Sequence, residues 1–138
     1  MIYVVIQFSC IIFLAFSAKL NDLNLISLSF IAVSIAIGLH AIIDMQLKNL
    51  NIQPTLSQNH KLITKGIYTY IRHPMYTSVL LLCFGLMLNN NTLATQVVML
   101  ILVIDLILKS NFEEKLLSKR FKNYDEYRQK TGRFIPFL

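Results

Sequence analysis

The feature that constrains this chain most is the order of its apolar residues: four apolar stretches, each closed by a few polar ones. Met1 to Ala18 is broken only by Gln7, Ser9 and Ser17, and Lys19 to Asp22 forms a short polar turn. Leu23 to Met45 is apolar again, with His40 and Asp44 near its end. Pro74 to Leu88 follows a long polar interval, Asn89-Asn90-Asn91 turns the chain, and Thr92 to Leu108 runs back. At about 1.5 Å per helical residue, roughly 20 residues cross a hydrocarbon layer of about 30 Å, so Pro74 to Leu88 is short for a full crossing. Only 14% of the 138 residues are charged and 55% are hydrophobic, against about 25% charged in a soluble domain. A single small core cannot bury that much apolar surface, which makes the bilayer the natural solvent. The expected fold is an all-α polytopic membrane bundle forming one domain over 1–138. Its spans are expected at about 1–18, 23–45, 74–88 and 92–109, with a polar loop at 46–73. A C-terminal amphipathic helix and tail at 110–138 complete it, since Phe112, Leu116, Leu117, Phe121 and Tyr124 recur at helical spacing.

Thirteen Lys and Arg stand against seven Asp and Glu, but the basic residues lie between and after apolar runs. That distribution fits the positive-inside rule and gives no reason to expect a nucleic-acid partner. With the 46–73 loop and the C-terminal tail on the cytoplasmic side, 12 of the 13 basic residues are inside and Lys19 alone is outside. The expected localisation is therefore integral and multi-pass, with both termini cytoplasmic. The N-terminus lacks the basic n-region and cleavage site of a signal peptide and is expected to stay as a span. Cys10 and Cys83 sit in separate apolar stretches and form neither a disulfide framework nor a CxxC metal site.

The chemistry-bearing residues gather at the ends of these stretches. In Arg72-His73-Pro74 the residue before proline is pushed away from helical angles, and proline suits the first helical position, so His73 should cap the third helix. A helix N-terminus beside a planar guanidinium is an anion site. Arg72 also suits a plainer role as an anchor at lipid headgroups. Glu113-Glu114, beyond the fourth apolar stretch, can face the same region and hold hydroxyls or a cation. Ser110-Asn111-Phe112-Glu113 also reads as a capping box that would occupy Glu113 locally. His40 and Asp44, four apart, are expected to form a structural pair. Asp105 should face protein or an aqueous pocket rather than lipid. No HExxH or other compact ligand spacing suggests a metal, and no GxSxG or activated cysteine suggests a nucleophile.

The segments His60-Lys61-Leu62-Ile63-Thr64-Lys65-Gly66-Ile67-Tyr68, Tyr70-Ile71-Arg72-His73-Pro74-Met75-Tyr76, Glu113-Glu114, Tyr124-Asp125-Glu126-Tyr127 and Arg133-Phe134-Ile135-Pro136 occur in that order. As an ordered set they resemble the isoprenylcysteine carboxyl methyltransferase and phospholipid methyltransferase superfamily over roughly the C-terminal two thirds of the chain. The resemblance implies S-adenosylmethionine as cofactor, held by helix ends and the C-terminal segment. Four glycines, at 38, 66, 85 and 132, could not build the glycine-rich turn of a soluble nucleotide-binding fold. Carried over by motif, the cofactor contacts are His60, Leu62, Ile63, Tyr68, His73, Pro74, Tyr76 and the Glu113-Glu114 pair, with Gln53 aligned by spacing only. Arg72, His73 and Glu114 are the residues expected to carry the reaction, by positioning cofactor or substrate. The chain departs from the family in lacking a glycine-glutamate insert between Phe121 and Tyr124 and in having few spans before the motif, which puts the substrate in doubt.

The implied reaction is methyl transfer to a lipid-like or prenylated acceptor, a carboxylate or an amine, at the cytoplasmic membrane face. The cofactor supplies the reactivity, and the protein aligns the reactants and excludes water. Sterol reductases share a similar Arg-His-Pro-x-Tyr region, which keeps an NADPH-dependent membrane reductase as an alternative. Their larger size and the few arginines in the 46–73 loop argue against it. A non-enzymatic four-span transporter or scaffold fits the length but leaves His60 to Tyr76 unexplained. The expected partners are membrane lipids, a hydrophobic small-molecule substrate and a second copy in a homodimer.

Overall fold

The computed structural model describes residues 1–19, 21, 23–45 and 61–138. Five α-helices form among them: α1 (Ile2–Ser17), α2 (Leu25–Met45), α3 (Pro74–Asn89), α4 (Leu93–Arg120) and α5 (Tyr124–Lys130), with a short 3-10 turn at Gly66–Thr69 before α3. The all-α expectation holds for the described residues, whose one β contact is an isolated parallel bridge between Ile71 and Gly132. Two helices, α2 and α4, are long and apolar enough to cross a membrane, while α1 and α3 are apolar helices of 16 residues each. The separate amphipathic helix expected from residue 110 is instead the continuation of α4, which runs 28 residues without a break. The Ser110 to Glu113 capping box therefore does not form. The capping box of α4 is Thr92 with Thr95, each side chain bonding the other's backbone N–H.

Helices α2 and α3 make the most extensive contact, and α1 packs on α4. Small residues explain the first pairing. Ser34 Oγ donates to the Ser78 carbonyl at 2.9 Å and Ser78 Oγ to the Ser34 carbonyl at 2.8 Å, a reciprocal clasp between α2 and α3. Gly85 lets the helices meet, since a Cβ there would stand 3.0 Å from the Ser27 carbonyl oxygen and 3.1 Å from Ile31 Cγ1. Close backbone approach with hydroxyl bonds is how helices associate where lipid removes the hydrophobic drive. The buried cluster between the helices holds Cys10, Leu14, Cys83, Leu86, Met87, Leu102 and Leu106. Outward faces stay apolar, with Phe16 88% and Leu25 80% exposed, as suits a surface solvated by lipid.

At the other end the chain folds back on α2. Gly66 adopts φ +60°, and the Asp44 carboxylate occupies the space a Cβ would need. Asp44 Oδ2 accepts from the Ile67 N–H at 2.8 Å, so it holds this turn rather than pairing with His40, which is exposed. Gly85→Leu should therefore lower thermal stability by about 1–3 kcal/mol, the usual cost of overpacking. Unfolding of the detergent-purified variant measures this, and an unchanged midpoint would mean that α2 and α3 do not meet at Gly85.

Candidate functional site

The site is built where the head of α3, the last third of α4 and the C-terminal segment meet. Pro74 occupies the first turn of α3 and His73 caps it at φ −125°, ψ 58°, as the sequence predicts for a residue before proline. The His73 carbonyl accepts from the Tyr76 and Thr77 N–H groups, and its ring is left for tertiary contacts. Upstream, the Arg72 N–H donates to the Gly132 carbonyl at 2.8 Å and the His73 N–H to the Arg133 carbonyl at 3.0 Å. The segment after α5 is thereby zipped along the strand-like residues before α3.

At the centre lies Glu114, 3% exposed. Its Oε1 accepts from Arg72 Nε at 2.9 Å and lies 3.1 Å from His73 Nε2. Its Oε2 is 3.3 Å from Arg133 Nη2 and 3.7 Å from Arg128 Nε. The Arg72 Nη1 group also donates to the carbonyls of Arg128 and Thr131. With its side chain only 8% exposed, Arg72 is not a headgroup anchor. Its guanidinium serves the chain's own carboxylate and C-terminal carbonyls rather than standing open as an anion site.

Glu113, one residue earlier, faces a different set. Its Oε1 accepts from Tyr76 OH at 2.6 Å and its Oε2 is 3.7 Å from His73 Nδ1, yet it remains half-buried. Both carboxylate oxygens keep lone pairs to spare. Beside them the His73 and Tyr76 rings stack at 5.3 Å with an interplanar angle of 4°, and Phe134 leans on both at 6.1 and 6.4 Å. Thr77 Oγ1 donates to the Phe134 carbonyl at 2.7 Å and so fixes this wall.

Of the residues singled out in the sequence, Arg72, His73, Pro74, Tyr76, Glu113 and Glu114 come together here. Leu62 and Ile63 are half-buried in the segment leading to the 3-10 turn, and Tyr68 is buried within it, its carbonyl accepting from Tyr127 OH at 2.6 Å. Gln53 and His60 lie outside the described residues. Several participants carried no role in the sequence reading: Arg128, Thr131, Arg133, Phe134, Tyr124 and Tyr127. Arg133, Phe134, Tyr124 and Tyr127 stand within the ordered motif segments, which was the signal available. Burial raises the Tyr68, Tyr124 and Tyr127 phenols, Tyr127 to about 12, so they stay neutral, and among the described residues Tyr127 OH is the one of their hydroxyls that donates, to the Tyr68 carbonyl, while Tyr124 OH is buried without a hydrogen-bond partner. Deeper along α4, Lys109 is buried, donates to Gln7 Oε1 of α1 at 2.8 Å and lies 4.9 Å from the centre of the Tyr76 ring. A recess of about 380 Å³ bordered by Arg72, Ile107, Arg133, Phe134, Ile135 and Leu138 opens beside the cluster without reaching Glu113.

The family model for phospholipid methyltransferase matches residues 23–124. A probable protein-S-isoprenylcysteine O-methyltransferase from Oryza sativa is 36% identical over 81 residues, covering 57% of this chain and 42% of that protein. The protein-S-isoprenylcysteine O-methyltransferase of Schizosaccharomyces pombe is 33% identical over 84 residues, 59% of this chain and 36% of that one. The cobalt-zinc-cadmium resistance protein CzcN of Cupriavidus metallidurans is 31% identical over 84 residues, 59% and 38%. The chain thus spans about two fifths of the length of the curated relatives it matches. A buried Arg-Glu frame at the head of an apolar helix, the ordered motifs that build it and a model match covering most of the chain agree: this protein belongs to the phospholipid methyltransferase family.

Proposed function

We propose that this chain is an integral-membrane methyltransferase that uses S-adenosylmethionine and acts on a lipid-like or prenylated acceptor at the cytoplasmic membrane face. The observation that carries the reading is Glu113. It is a half-buried carboxylate with spare acceptor capacity, set against a stacked aromatic wall at the mouth of an apolar helix bundle. Ribose hydroxyls and an α-amino group are donors that such a carboxylate accepts, and aromatic faces favour a neighbouring cation. These residues fit the cofactor. Bound there, it supplies a methyl group activated on a sulfonium.

The chain's own residues then have separate duties. Glu113 orients the cofactor's donor groups, while Tyr76 OH holds Glu113 in place. His73, Tyr76 and Phe134 form the wall, and Pro74, Leu62, Ile63 and Tyr68 complete its apolar side, with Gln53 and His60 joining from the 46–73 loop. Glu114 and Arg72 are positioning residues that keep His73 and the C-terminal segment registered. The apolar helices around the mouth exclude water, which favours transfer to the acceptor over hydrolysis. The reading also takes α1 to α4 as four spans, α1 and α3 fitting a locally thinner layer, with both termini and the 46–73 loop cytoplasmic and the chain pairing as a homodimer.

Calorimetric titration of the detergent-purified protein with S-adenosylhomocysteine should give saturable binding. Glu113→Gln should weaken it about 10- to 100-fold, the worth of a charge-assisted hydrogen bond of about 1.5–3 kcal/mol, without changing thermal stability. NADPH binding in its place would overturn the reading in favour of a reductase. Glu114→Ala should behave differently: leaving Arg72 buried without its carboxylate costs about 3–5 kcal/mol, so stability and binding should fall together. Equal stability of Glu114→Ala and the wild type would remove Glu114 from its positioning role.

A further inference from the structure

Lys109 is a buried cation to which the proposed function gives no task. A lysine at the end of an apolar stretch can run its ammonium out to the headgroups at little cost. Lys109 does the opposite. It is 2% exposed, and its ammonium donates to Gln7 Oε1 of α1 at 2.8 Å, with Gln7 itself buried. The same ammonium stands over the Tyr76 ring, 4.9 Å from its centre. Asp105 and Glu113 lie one turn to either side on α4 and balance its charge through space. Asp105, whose oxygens have no hydrogen-bond partner, contributes there by charge alone. A chain of contacts thus runs from Gln7 to Lys109, from Lys109 to the Tyr76 ring, and from Tyr76 OH to Glu113.

Resting on the proposed function, we infer that Lys109 is a positioning residue for the cofactor carboxylate: anchored by Gln7 of α1, it pins the Tyr76 ring so that Tyr76 OH aims Glu113. Stacking on His73 leaves the Tyr76 ring able to slide in its own plane, which would carry its hydroxyl away from Glu113. An ammonium over the ring is attracted most strongly at the centre, so it opposes that slide. Burial strengthens the attraction, because little water competes for the charge. Gln7 fixes the ammonium in turn, taking one of its three donors. Helix α1 supplies none of the residues of the site described above, yet through Gln7 it sets the aim of Glu113. Its packing on α4 then serves the site as well as the bundle.

The test combines calorimetric titration with S-adenosylhomocysteine and thermal unfolding, both on the full detergent-purified chain. Lys109→Met and Gln7→Leu should each weaken binding roughly 5- to 30-fold, the scale of a desolvated cation–π contact. The double variant should bind within about twofold of Lys109→Met, because both changes break one chain of contacts. In a Tyr76→Phe background the ring stays and the hydroxyl is gone. There either change should cost less than about twofold in binding while still lowering the unfolding midpoint. A lysine that only filled the bundle would lower both readings in both backgrounds. Unchanged binding in Gln7→Leu, additive losses in the double variant, or an undiminished loss in the Tyr76→Phe background overturns the inference and leaves the cofactor reading intact. Gln7→Leu keeps every charge of α4 in place, so its cycle with Tyr76→Phe decides the matter even where Lys109→Met does not fold. Absence of S-adenosylhomocysteine binding in the wild type removes the cofactor reading and the inference together.

Discussion

The ion pair between Arg72 and Glu114 is the constraint on which the rest of this end of the molecule depends. One carboxylate, almost fully buried, gathers Arg72, His73, Arg128 and Arg133 from the head of α3, from α5 and from the tail. Buried ion pairs add little net stability when exchanged for apolar groups, but losing one partner is severe. Their value is in fixing register. Here the pair sets the depth of α4 against α3 and the path of the last ten residues across both. The backbone bonds from Arg72 and His73 to Gly132 and Arg133 then close a frame that a planar, multidentate guanidinium can span and a lysine cannot.

Because Glu114 is consumed by that frame, Glu113 is left to face the aromatic wall. Two adjacent residues on a helix point about 100° apart, so neighbouring glutamates look into different surroundings. One is surrounded by fixed cations and the other keeps open lone pairs beside stacked rings. In the proposed function this division separates holding the fold from holding the cofactor. The continuation of α4 past residue 110 is what brings both to the site, since a helix broken there would not carry the register of Asp105 and Lys109 through to Glu113.

Much of this was legible beforehand. The apolar stretches marked α1, α2 and α3 and the start of α4 to within a few residues, though not the end of α4, which runs on to Arg120, and Pro74 marked the start of α3, because a missing N–H and a fixed φ act locally. Motif order brought Arg72, His73, Tyr76 and the glutamate pair under one heading. The capping box at Ser110 misled because a four-residue pattern has no power over a helix already propagating from Thr92 with packing on one face. The His40 and Asp44 pairing misled because side chains four apart can meet, yet Asp44 finds a fixed backbone N–H at Ile67 from a distant segment.

The sequence by itself determined the helical class, the helix starts at prolines and polar turns, and the family, since these follow from composition, local backbone chemistry and motif order. Tertiary structure decided which glutamate is walled in by arginines, that Gln7 of α1 holds Lys109 of α4, and that Asp105 is buried with both oxygens unbonded. Those are contacts between residues up to about a hundred positions apart. Such pairings depend on how helix faces rotate against one another, and periodicity alone leaves that rotation open.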